Sequence, residues 1–148
     1  MTFTIREALP SDIPAMHRVR LAVRENRLSG MLSIDEGSYR PFLDDHGRGW
    51  VAESAGALIG FAIVDLARAN VWALFVDPNE EARGVGRALH DRLLLGAAEQ
   101  GVTRLWLTTM PGTRAERFYE AAGWSRAGIV QGEILFERDL GAGIFRRV

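Results

Sequence analysis

Three strand-like runs lie back to back in the middle of this chain: GWVAES, ALIGFAIVDL and NVWALFVD, residues 49–54, 57–66 and 70–77. Only Ala55 and Gly56 separate the first two, too short a link for anything but a hairpin, and the third follows after one more turn. An antiparallel meander is therefore expected here, and the rest of the chain has to cover it. Upstream, FTIREA reads as a first strand and PSDIPAMHRVRLAVREN as a helix capped at Ser11 or Asp12, with Ile13, Met16, Val19 and Val23 on one face. A second helix or turn is expected after Ser33, which has capping-box spacing to Glu36.

Downstream the hydrophobic period switches. Val85, Ala88, Leu89 and Leu93 form the apolar stripe of a helix expected to run from Val85 to about Gln100, with Gly101 as its stop. TRLWLTT reads as a buried strand. Thr113 and Glu116 repeat the capping-box spacing before a short helix ending near Gly123, and two strands, about Ser125–Val130 and Glu133–Asp139, close the pattern. The expected class is α+β: one central, mixed but mostly antiparallel sheet of about seven strands with helices on both faces, forming a single domain over residues 1–148. Trp50, Trp72 and Trp106 sit inside strand-like runs and are expected in the core.

Composition removes several functions. The chain has no cysteine, which excludes disulfides, thiolate metal sites and a cysteine nucleophile together, and no metal site is expected. A net charge of -1 argues against a nucleic-acid surface. No apolar run approaches a membrane span, and MTFTIREAL lacks the basic and apolar regions of a signal peptide, so a cytoplasmic location is expected.

The segment PNEEARGVGRALHDRL, where the meander gives way to a helix, is the richest in chemistry. The first amides of a helix lack intrahelical acceptors and carry the positive end of its dipole, and glycines let an anion approach the backbone. A plain tight bend would use the same glycines. Two nucleotide motifs fail: no Gly-Lys-Ser/Thr follows for a phosphate-binding P-loop, and Leu89 occupies the third glycine position of a dinucleotide fingerprint.

VDPNEEARGVGRAL resembles the acetyl-coenzyme A signature of the GNAT superfamily of N-acetyltransferases, Gln/Arg-x-x-Gly-x-Gly/Ala. AERFYEAAGW resembles that family's second motif, Ala-x-x-Phe-Tyr-Glu-x-x-Gly-Phe/Trp, about thirty residues later. The resemblance implies the GNAT fold along nearly the whole chain and acetyl-coenzyme A as co-substrate. It implies that the backbone of Phe75 and Val76 holds the pantetheine arm. The amides of Arg83, Gly84, Val85, Gly86, Arg87 and Ala88 would hold the pyrophosphate, and Tyr119 would protonate the departing thiolate. Two positions depart from the pattern: Glu81 replaces the usual Gln/Arg, and Gly112 replaces a frequent asparagine.

Acyl transfer to an alkylamine also requires a proton acceptor, because the amine starts as an ammonium. The candidates are Glu25, His46, Glu53, Asp65 and Glu133. Glu25 is favoured because the first helix and its following loop frame the acceptor in such families, and Glu133 because it starts a late strand beside it. Asn26 could orient the acceptor. Without cysteine, direct attack by the amine in a ternary complex is the economical route. The implied partner is a small-molecule or peptide amine; the oligomeric state stays open, a homodimer included. Two other readings stay open: a non-catalytic acyl-coenzyme A sensor or interaction module, and a longer acyl donor such as succinyl.

Overall fold

A computed structural model describes residues 2–23, 34–44, 46–81 and 83–141. Strand β1 (Thr4–Glu7) leads through a single 3₁₀ turn into helix α1 (Ile13–Ala22). A second 3₁₀ turn and the short helix α2 (Arg40–Asp44) precede the meander β2 (Gly47–Ser54), β3 (Ala57–Asp65) and β4 (Asn70–Val76). Helix α3 (Val85–Glu99), strand β5 (Arg104–Thr109), helix α4 (Arg114–Ala121) and the hairpin β6 (Ser125–Val130) and β7 (Glu133–Asp139) follow. The seven strands form one sheet in the order β1-β2-β3-β4-β5-β7-β6, antiparallel everywhere except between β4 and β5. That parallel pair is joined through α3, since parallel neighbours need a crossover.

The turn chemistry explains the meander. Ala55 and Gly56 both have positive φ, 52° and 80°, the paired left-handed conformation whose twist suits a two-residue hairpin. The strand β3 is buried from Ile59 to Asp65 because helices cover both sheet faces. On one face Val51, Phe61, Ile63 and Ala73 pack against Ile13, Met16 and Val19 of α1 and against Tyr39. On the other, Trp50, Ala52, Ala62 and Val64 pack against Val85, Leu89, Leu93 and Ala97 of α3. Helix α3 stops where expected: Gly101 has φ 89°, and its neighbour Val102 donates back to the Ala97 carbonyl at 3.1 Å.

Two local expectations need correction. No side chain caps α1; the Asp12 carboxylate instead accepts the Leu9 amide at 2.8 Å and binds Arg6 of β1 at 2.8 Å, so the ion pair to the first strand wins over the cap. The turn expected after Ser33 is present at Glu36–Ser38 and is capped by Asp35, which accepts from the Ser38 amide; Ser33 itself lies outside the described residues. Of the three tryptophans expected in the core, Trp50 is buried, but Trp72 and Trp106 are only partly covered: Trp72 borders an opening beside β4, and Trp106 turns its indole N–H to the Arg68 carbonyl at 2.9 Å.

Gly96 marks the tightest contact between α3 and the sheet. A β-carbon there would overlap the Trp50 indole, which is pinned from beside by the Arg92 guanidinium 5.1 Å from its centroid. Gly96→Ala gains roughly 1 kcal/mol of helix propensity but overpacks this contact at a cost of about 1–3 kcal/mol. Net destabilisation of up to about 2 kcal/mol is expected in denaturant titrations, the reverse of what helix propensity alone gives.

Candidate active site

The parallel ladder between β4 and β5 consists of one residue pair, Asn70 opposite Trp106. The Asn70 side chain reinforces it by donating to the Trp106 carbonyl at 3.1 Å, and the Trp106 amide donates to the Ala69 carbonyl at 3.0 Å. Beyond this hinge the strands part. A bulge in β4 contributes: Val64 faces Val71 while Ile63 faces Ala73, leaving Trp72 as the extra residue, and bulges bend and twist the strand that carries them. The opening is a cleft of about 880 Å³.

Helix α3 starts at one end of the cleft. Gly84 precedes it with φ 81°, a left-handed conformation that glycine adopts without penalty, and no side chain caps the helix. The first intrahelical bond runs from the Ala88 amide to the Gly84 carbonyl, 3.0 Å, so the amides of Val85, Gly86 and Arg87 lie ahead of the ladder at the positive end of the dipole. A β-carbon on Gly86 would stand 3.6 Å from Val76 and 3.8 Å from Phe118, so this glycine faces both walls of the cleft with room to spare.

Helix α4 forms the opposite wall. The Thr113 hydroxyl accepts the Glu116 amide at 3.2 Å, as the spacing predicts, but the returning Glu116 carboxylate takes the Gly112 amide at 2.6 Å rather than that of the cap. Gly112 has φ 80°, a conformation that asparagine also tolerates, so the departure from the family pattern at this position preserves the backbone and loses only a side chain.

Tyr119 projects from α4 into an aromatic cluster, with ring centroids 5.1 Å from Phe118, 5.3 Å from Trp124 and 6.1 Å from Phe136. It is 7% exposed yet lines the cleft, and burial pushes its phenol well above the ordinary range, so it stays protonated. Among the described residues its hydroxyl has no hydrogen-bond partner. Behind it sits His90 of α3, 3% exposed. The Trp124 indole N–H donates to His90 Nε2 at 2.9 Å, and an indole nitrogen can only donate, so the proton of the neutral ring sits on Nδ1, which donates to Asp91 at 2.9 Å.

Of the residues the family resemblance implies, Phe75, Val76, Gly84, Val85, Gly86, Arg87 and Tyr119 all line this one cleft. Arg83 and Ala88 do not: Arg83 is drawn aside into an ion pair with Glu80, and Ala88 is half-buried beyond the open amides. Among the proton-acceptor candidates, Glu133 lines the cleft. Glu53 pairs with Arg6 on the far edge of the sheet, Asp65 is buried and caps the next turn through the Arg68 amide, and His46 is exposed before β2. Glu25 and Asn26 lie outside the described residues.

Arg20 and Arg114 are among the cleft residues that the sequence did not point to. Arg20 of α1, 3% exposed, lines the cleft with its guanidinium 4.7 Å from the Trp72 centroid and 4.9 Å from that of Phe75. Its position next to Val19 on the apolar face of α1 was the available signal. Arg114 opens α4 and pairs with Glu81 at 2.9 Å.

The donor set suits a long, phosphate-bearing thioester. Open helix amides and nearby guanidiniums match phosphates, the unladdered edge of β4 offers backbone groups to an amide-containing arm, and the apolar floor around Tyr119 suits a thioester. Among the described residues no group of three His, Cys, Asp or Glu side chains could hold a metal ion. No described helix is long and apolar enough to cross a membrane.

The sequence matches the Acetyltransferase (GNAT) family over residues 13–124, and the chain belongs to that family. It is 35% identical over 77 residues to the [ribosomal protein bS18]-alanine N-acetyltransferase of Escherichia coli K12, covering 50% of this chain and 52% of that protein. It is 39% identical over 83 residues to the L-2,4-diaminobutyric acid acetyltransferase of Nocardia farcinica, covering 53% of this chain and 43% of that protein. The chain thus spans about half the length, or less, of the curated relatives it matches. In structure it is similar to the PaiA N-acetyltransferase of Thermoplasma acidophilum in complex with coenzyme A, with a TM-score of 0.80 at 13% identity over 94% of this chain and 99% of that one. That likeness establishes the GNAT fold.

Burial holds His90 below the ordinary 6.5, outweighing the opposing pull of Asp91, while Arg87 and Arg138 add to the depression. Between the two values the unfolded chain binds a proton that the folded chain refuses. This contribution to stability is therefore complete above pH 6.5 and is lost as pH falls below it towards the folded-state value. Denaturant midpoints across this range should decline with acidification in the parent, and His90→Gln should lack this part of the decline.

Proposed function

We propose that this chain is an acetyl-coenzyme A-dependent N-acetyltransferase that acts on a primary amine of a small molecule or peptide. The observation that carries the reading is the cleft that joins an uncapped helix start to a buried, protonated tyrosine in a chain of the GNAT family. Acetyl-coenzyme A supplies an acyl thioester whose carbon accepts the amine nitrogen as the carbon–sulfur bond breaks.

The chain's own residues do the rest. The amides of Val85, Gly86 and Arg87 hold the pyrophosphate at the positive end of α3, with Arg83, Gly84 and Ala88 flanking them. The backbone of Phe75 and Val76, in the part of β4 that runs on past its single pair with β5, holds the pantetheine arm, and a β4 amide polarises the acyl oxygen. Tyr119 holds the proton that the thiolate needs. Its phenol is a weaker acid than usual, but the same apolar surroundings raise the proton affinity of a thiolate, so burial shifts donor and acceptor in the same direction. Glu133, which lines the cleft at the start of β7, takes the proton that the ammonium sheds. With no cysteine in the chain, no cysteine acyl-enzyme can intervene, which favours direct attack.

The names of the relatives support the acceptor class. One acts on an alanine of a ribosomal protein, the other on diaminobutyrate, and both targets offer a primary amine.

Calorimetric titration with coenzyme A tests the cradle. Gly86→Val keeps the backbone, because the β-carbon meets only ordinary contacts, but puts methyl groups where the phosphates must approach. Affinity should fall by roughly tenfold or more in a folded variant, and undiminished binding would rule the cradle out.

Turnover tests the acid. Tyr119→Phe preserves ring packing and removes a hydroxyl that has no hydrogen-bond partner among the described residues, so stability should change by about 1 kcal/mol or less. The value of kcat should fall roughly 10²–10⁴-fold with little change in coenzyme A affinity. Parent-level single-turnover rates in Tyr119→Phe would remove this residue from the mechanism.

A further inference from the structure

The Glu81–Arg114 pair takes no part in the proposed transfer chemistry. Glu81 sits where the family signature has Gln or Arg, in the segment leading into α3, and Arg114 is the first residue of α4. Their side chains meet at 2.9 Å, and both line the cleft beside Gly84, Gly86 and Arg87. The pair therefore ties together the two elements that flank the proposed phosphate end.

The neighbouring arginines are held differently. Arg83 pairs with Glu80 three residues away, and Arg87 with Asp91 four residues along the same helix, at 3.3 Å. Filling the cleft does not separate partners that share one short segment. Glu81 and Arg114 are 33 positions apart in the chain and belong to opposite walls, so a ligand entering between them acts on both.

The chemistry sets the direction. A guanidinium accepts a carboxylate or a phosphate in the same forked geometry, and a phosphate carries the greater charge. The Glu81 carboxylate stands near open helix amides that attract anions, so it repels an arriving phosphate while occupying the cation that could bind it. The pair is also easy to exchange: the Arg114 side chain is 63% and the Glu81 side chain 31% exposed, and such pairs are screened and individually weak.

We propose that Glu81 is an internal competitor for the coenzyme's phosphates: it engages Arg114 in the ligand-free cleft, and a phosphate displaces it and takes over the guanidinium. This rests on the acetyl-coenzyme A reading of the cleft. The arrangement weakens coenzyme binding and thereby speeds release of the product coenzyme A.

Calorimetric titrations of coenzyme A into the parent, Glu81→Gln, Arg114→Gln and the double variant test the exchange. Both residues are on the surface, so the variants keep the fold. Glu81→Gln should tighten binding by about 2- to 5-fold at low salt, and the gain should shrink as salt screens the charges. Arg114→Gln should weaken binding, and in that background the benefit of Glu81→Gln should be smaller. Dephospho-coenzyme A identifies the phosphate: a gain that persists assigns the pyrophosphate, and a gain that disappears assigns the ribose 3′-phosphate. Unchanged or weaker binding by Glu81→Gln, or strictly additive effects in the double variant, overturns the exchange while leaving the coenzyme site intact. No coenzyme A binding by the parent overturns both.

Discussion

The single ladder pair between β4 and β5 is the constraint on which the site depends. A parallel pair of six- and seven-residue strands could bond along its whole length, but here the pairing stops after Asn70 and Trp106. Leaving strand edges unpaired in a protein interior is unfavourable unless other groups satisfy them. Parting at a hinge makes those groups available to a ligand from both sides, and the hinge itself is doubly fastened by the Asn70 side chain and the Ala69 carbonyl. The bulge at Trp72 adds a bend and extra twist to β4. One local defect in an otherwise continuous sheet thus produces the cleft and exposes the backbone groups that line it.

The fold was legible because its signals are local and repeated. Alternation and the Ala55-Gly56 link fixed the meander, and the stripe Val85, Leu89, Leu93 with Gly101 after it fixed α3. The limits expected for β6 and β7 coincide with those observed, since Gln131 and Gly132 form a second two-residue hairpin with φ 50° and 82°. The signals that failed were those with a rival partner elsewhere in the chain. Asp12 looks like a cap from its neighbours, but the competing cation, Arg6, belongs to another element.

The site was legible in part for the same reason. Its glycines and Tyr119 lie in two contiguous motifs, so the turn and helix that carry them could be read directly. The cleft walls could not, because they depend on how far two strands diverge. Trp72 looks like any aromatic in a strand until the neighbouring strand moves away, and Arg20 looks like a surface residue until its face is known. The Glu81–Arg114 contact joins residues from opposite walls, and no spacing rule spans them.

What makes an uncapped helix start usable is that the rest of α3 is immobilised. An open N-terminus with no side-chain cap would fray if the helix were held only by its own hydrogen bonds. Here the first turn is buried through Val85, the second is fixed by His90 between Trp124 and Asp91, and the fourth is seated at Gly96 against Trp50. Each contact is specific in direction as well as in shape: the indole can only donate to His90, and Gly96 alone lets the helix approach that closely. Because these anchors draw on β2 and on the segment after α4, the amides at the start of α3 stay aimed at the cleft. Binding there need not order the helix first, so the conformational entropy of forming that turn is met by folding and not by association.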